Sequence, residues 1–161
     1  MSRVLIYFAR FALILVAYVC ASLAASAFLH LMSLSALGLR PDDTPQFVMG
    51  YLVFSIPFVA LFVAYFAFLP SLPAILVSEA LGWRDWLRYA IAGAVIALII
   101  IAFFVHAEPS SGDAVAEPRF WAAMLGGGMV GGITYWLVAG RVAGNWRARV
   151  RRPVAQDAEN L

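Results

Sequence analysis

Few side chains in this sequence are equipped for chemistry, and the two histidines come first. His30 and His106 fall near the outer ends of the first and third apolar runs, at a shared depth. Two facing imidazoles inside a four-helix bundle can hold a haem iron. The competing reading is two interfacial histidines in headgroup water, and no second pair supports the haem. The single Cys20 excludes an internal disulfide and a CxxC redox pair. It lies in an apolar run and reads as a small buried hydrophobe. One cysteine and two histidines fall short of the four N/S ligands of a structural zinc site. No carboxylate is placed mid-span, which weakens a proton-coupled pump or small multidrug exporter. Arg10 sits near the inner interface, where its long stem can snorkel to water. The expectation is a non-enzyme with no metal and no cofactor.

The glycines form a denser signal. Ala123, Gly127 and Gly131 recur at i, i+4 and i+8 on one helix face, and Gly128 and Gly132 mark the adjoining face. Missing side chains let another backbone approach, and van der Waals contact drives helix association in lipid. The faces serve packing within one chain, or contact with a second copy or a membrane partner. A lipid or quinone groove is a third use. A nucleotide-binding glycine loop is excluded, because no strand precedes the cluster. Ser22, Ser26, Ser55 and Thr134 are expected to bond a carbonyl one turn back or a neighbouring helix.

Composition says what must position these residues. Of 161 residues, 64% are hydrophobic and 12% charged, whereas a soluble domain has about 25% charged residues. That balance requires a bilayer, which a helix of about 20 apolar residues crosses. The fold class is therefore all-α, a four-helix transmembrane bundle with a glycine-rich fourth helix. The spans cover about residues 11–34, 47–69, 87–106 and 120–139, within one membrane domain of residues 1–152, and residues 153–161 form a short polar tail. A cleaved signal peptide competes for the N-terminus, since Ala25-Ser26-Ala27 resembles a cleavage site. The apolar run continues past it through Phe28 and Leu34, which favours a retained helix. Pro57 predicts a kink in the second span. Pro70 and Pro73 are expected to end that span. Ala74 to Leu81 then forms a short interfacial segment, followed by a charged aromatic hinge from Glu79 to Arg88.

Arginine placement sets orientation. All 11 basic residues are arginine. Nine gather on one side: Arg3, Arg10, Arg84, Arg88, Arg141, Arg147, Arg149, Arg151 and Arg152. Arg40 and Arg119 lie on the other, beside five acids, Asp42, Asp43, Glu108, Asp113 and Glu117. Both termini are expected inside. The tail arginines Arg141, Arg147, Arg149, Arg151 and Arg152 hold the C-terminus there and attract anionic lipid, at about 1 kcal/mol per basic residue near the surface. Nothing else in the chain supports nucleic-acid binding.

The segments Pro70-Ser-Leu-Pro-Ala-Ile-Leu-Val-Ser-Glu-Ala-Leu-Gly-Trp-Arg84 and Gly131-Gly-Ile-Thr-Tyr-Trp-Leu-Val-Ala-Gly-Arg-Val-Ala-Gly144 resemble small, uncharacterised four-span inner-membrane proteins of alphaproteobacteria. The resemblance covers the second half of the chain. It implies the fold and a bacterial inner membrane, and it transfers no functional residues. The leading expectation is a non-enzymatic assembly or accessory subunit that packs with itself or a partner through the fourth helix. The alternatives are a small transporter or channel and a haem-binding electron-transfer subunit.

Overall fold

The structure, a computed structural model, describes residues 3–36, 45–107 and 117–143. Four helices fill them: α1 (Arg3–Ala36), α2 (Pro45–Leu81), α3 (Trp86–Ala107) and α4 (Pro118–Val138). A 3₁₀ turn, Gly140–Val142, follows α4. Each helix is long and apolar enough to cross a membrane, and no strand occurs among the described residues. The chain is an all-α, multi-pass bundle.

Local chemistry sets the helix ends. Pro118 starts α4 with its φ preset and its missing N–H harmless, behind the extended Glu117. Gly82 ends α2 in the left-handed region, at φ 62°. The Trp83 amide then donates back to the Ser78 carbonyl at 3.0 Å. This glycine cap satisfies a carbonyl that the helix end would otherwise leave open.

The bundle is built inside out relative to a water-soluble protein. Most of its buried positions are small or aromatic, among them Ala17, Ala60, Ala90, Ala97, Ala139, Tyr89 and Tyr135, with Ile101 the large aliphatic exception among the described residues. Leucines, phenylalanines and valines such as Phe54, Leu61, Leu69 and Phe103 face outward. Lipid tails are as apolar as these side chains, so burying them gains nothing, and close backbone approach holds the helices together instead. Helix α4 lies between α1 and α3 and packs extensively on both. Helix α2 packs on α1 and touches α3 only thinly.

One expectation is overturned. Neither Pro70 nor Pro73 ends the second span: α2 runs through Pro57, Pro70 and Pro73 to Leu81. Proline costs a helix one N–H and crowds the preceding turn. Leaving the helix in lipid would open several backbone groups with no water to pair them. Ser71 and Ser78 also donate to the Phe68 and Ile75 carbonyls, at 2.9 and 2.8 Å. The 37 residues of α2 span about 55 Å at 1.5 Å per residue, well beyond the roughly 30 Å hydrocarbon core. Its last turns are tied to α1 through Glu79, which pairs with Arg10. Helix α1 likewise continues unbroken through Ala25, Ser26 and Ala27.

Candidate functional site

The glycines of α4 form a wedge inside the chain. Gly127 and Gly131 face α1: a Cβ on Gly127 would meet Leu29 at 3.5 Å, and one on Gly131 the Ala21 carbonyl oxygen at 3.3 Å. Gly128 and Gly132 face α3. A Cβ on Gly128 would overlap the Gly93 carbonyl, and one on Gly132 the Tyr89 carbonyl. Gly93 has the reciprocal relation to Gly128, so here two helices meet backbone to backbone. Ala123 continues the first face and is half-buried. Both faces singled out in the sequence are thus occupied by this chain's own helices. What α4 turns outward is a strip bearing Met129 and Leu137.

A polar seam joins α1 to α2. Tyr18 donates to the Ala64 carbonyl at 2.5 Å, and Ser26 to the Ile56 carbonyl at 2.8 Å. His30 Nδ1 lies 2.8 Å from the Ser26 carbonyl and Nε2 lies 2.8 Å from Ser55 Oγ. A carbonyl only accepts, so Nδ1 carries a proton, and in the neutral ring Nε2 accepts from Ser55. Both ring nitrogens are therefore engaged, and His30 is buried. His106 is exposed on α3. This arrangement offers no open pair of imidazoles for an iron. Ser22 and Thr134 bond one turn back, to the Tyr18 and Val130 carbonyls at 3.0 and 2.8 Å. Replacing Tyr18 with Phe should lower stability by about 1 kcal/mol, the net worth of one such bond. Chemical unfolding in detergent measures it.

At the end where Arg84 and Arg88 lie, three helices are tied by one ion pair. Arg10 donates to both Glu79 carboxylate oxygens, through Nε at 3.3 Å and through Nη2, and Nη2 also reaches the Ala139 carbonyl at 3.2 Å. The two side chains are 12% and 14% exposed. Arg10 is therefore locked in the bundle rather than snorkelling. Glu79 belongs to α2 and turns inward rather than forming part of a hinge. Nearby, Tyr89 donates to the Trp83 carbonyl at 3.0 Å and Trp136 Nε1 to the Arg84 carbonyl at 2.5 Å. Arg141 lies 4.8 Å from the Trp136 ring centroid and Arg88 5.3 Å from that of Trp83. Arg147, Arg149, Arg151 and Arg152 lie outside the described residues.

Between these features lies a half-open cavity of about 410 Å³, walled by all four helices. Phe62, Phe66, Ile96, Ile100, Phe104 and Met124 line much of it, with the α4 glycines as a flat strip. Tyr89, Tyr135, Ser71, Ser78 and Trp83 line it as well. The Tyr89 and Tyr135 rings are stacked at 5.8 Å. Tyr135 is 6% exposed, and its hydroxyl is buried without a hydrogen-bond partner. Leaving such a hydroxyl unpaired costs about 1–3 kcal/mol. The sequence signals neither this hydroxyl nor the Arg10–Glu79 pair, since each depends on which helices become neighbours. No known protein family, curated protein sequence or solved structure matches the chain.

Proposed function

We propose that this is a non-enzymatic protein of the bacterial inner membrane, with both termini inside, whose bundle holds a membrane-soluble amphiphile in its central cavity. The observation that carries this reading is the cavity itself. Its volume of about 410 Å³ falls within the roughly 300–1,000 Å³ of small-molecule sites. Its walls combine long apolar stretches with a few hydroxyls, the lining such sites use to fix orientation. An assembly role through the α4 glycines draws less support, because those faces lie on α1 and α3. Transport draws less support too, because α2 supplies no interrupted helix of the kind that forms transporter sites.

Ligand that binds only the folded state stabilises it by mass action, by about 2.7 kcal/mol at a hundred times Kd. Thermal unfolding of the detergent-solubilised protein, titrated with a long-chain alkane, a diacylglycerol and a decyl-substituted quinone, is the test. A saturable rise in Tm is expected with at least one of them. The cavity-filling variants Ala67→Trp and Ala74→Trp should abolish the rise. A wild-type Tm that none of the three moves would rule the reading out.

A further inference from the structure

Resting on that reading, we infer that the bound amphiphile places one straight hydrocarbon chain along α3, with its polar head at the Arg88 end and its tail towards Phe104. The shape of the cavity carries this. Its wall on α3 includes the stripe Arg88, Ala92, Ile96, Ile100 and Phe104. Residues at that spacing lie one above another on a helix face. The stripe is about 24 Å long at 1.5 Å per residue. The wall on α2 covers a matching length, from Ser78 to Phe62. Towards the far limit, the Phe66 and Phe104 rings meet edge to face at 5.0 Å. A volume of about 410 Å³ drawn out over that length is a narrow slot. It suits an extended chain better than a compact ring system.

The polarity of the wall gives the direction. Among the described residues, Arg88 is the one charged residue in the lining. It and its partner Asp85 are exposed, and Trp83 lies beside it. Beyond Gly93 the α3 wall is apolar: Ile96, Ala97, Ile100 and Phe104. Beyond Ser71 the α2 wall is apolar too: Ala67, Phe66, Val63 and Phe62. A polar head buried there would lose water and find no partner, so it belongs at the Arg88 end. The serines do not alter this. Ser22, Ser71 and Ser78 donate to the Tyr18, Phe68 and Ile75 carbonyls, and each hydroxyl has one hydrogen to give. An alkyl chain passes them without leaving a donor unpaired and gains dispersion contact with the walls. The chain belongs to a free single-chain amphiphile or to a phospholipid that inserts one of its two tails.

The experiment uses the wild type in a steroid-based detergent, which has no straight chain of its own to compete. Thermal unfolding is titrated with hexadecane and with its branched isomer heptamethylnonane, equal in formula and unequal in width. Hexadecane should raise Tm saturably, and the isomer should not. Equal rises would overturn the chain assignment and leave the cavity reading standing. A rise with neither would also overturn it, and the diacylglycerol and quinone titrations then decide the cavity reading separately. Direction is read with hexadecanoic acid brominated at the second carbon or at the last. Bromine quenches a tryptophan that it touches, and the share of Trp83 is the quenching lost in Trp83→Phe. The head-side bromine should quench Trp83 several-fold more strongly than the terminal one. Equal quenching, or the reverse order, would overturn the orientation. The mass of the molecule that co-purifies tells a free single-chain amphiphile from a phospholipid, and a polycyclic mass would contradict both.

Discussion

Gly132→Ala is expected to prevent the bundle from reaching its folded state, although it adds a single methyl group. The methyl would overlap the Tyr89 carbonyl and crowd the Ala90 nitrogen at 3.3 Å. These are backbone atoms of a neighbouring helix, so no side-chain rotation relieves the overlap. Ordinary overpacking costs about 1–3 kcal/mol. Here α3 and α4 must separate along their length, which forfeits the contacts that hold the bundle together, against a total stability of about 5–15 kcal/mol. Gly93→Ala and Gly128→Ala should behave alike, since each would strike the other's backbone. Gly127→Ala should be mild, because its methyl would meet a Leu29 side chain at ordinary contact distance. Gly50→Ala should be neutral or stabilising: nothing lies within 4 Å, and alanine gains up to about 1 kcal/mol over glycine inside a helix. Size-exclusion profiles and circular dichroism in detergent separate the three groups. Equal effects at Gly127 and Gly132 would contradict the backbone-contact account.

Glu79→Ala should cost about 3–5 kcal/mol, the penalty for leaving one member of a buried pair without the other. Arg10 would keep the Ala139 carbonyl and lose both carboxylate contacts. Arg10→Lys should fall between the wild type and Glu79→Ala, because an ammonium cannot reproduce the two-pronged contact of a guanidinium. The double variant Arg10→Leu with Glu79→Leu should be less damaging than either single change, as replacing a whole buried pair with apolar residues is often close to neutral. A double-mutant cycle on unfolding free energy measures this. Strictly additive effects would mean that the pair carries no coupling.

The sequence makes the helices legible because lipid leaves little choice. Apolar runs of bilayer length must be helical, and the arginine asymmetry gives them a common end. That end is where the structure brings together Arg10, Glu79, Arg84, Trp136 and Ala139. The spacing of Gly127, Gly128, Gly131 and Gly132 marks two close-packing faces, while their occupants, α1 and α3, could not be read from the spacing itself. Two features escaped because they depend on tertiary neighbours. Pro70 and Pro73 look like a terminus when α2 is weighed only against bilayer thickness. The helix nevertheless continues, with Glu79 on its extension facing Arg10. Tyr135 is distinguished by a buried, unpartnered hydroxyl, which depends on the neighbours that enclose it, Ala17 of α1 and Tyr89 of α3 among them. His30 shows the reverse case. Its type and depth suggested a ligand, and Ser26 and Ser55 absorb both of its nitrogens.

The most direct measurement of the central claim is a native mass spectrum of the protein released from mild detergent, beside the cavity-filling Ala74→Trp variant. Wild-type protein is predicted to carry one tightly held, membrane-derived molecule per chain, and the filled variant to carry none. A bare wild-type chain, or an adduct retained equally when the cavity is filled, would contradict the account.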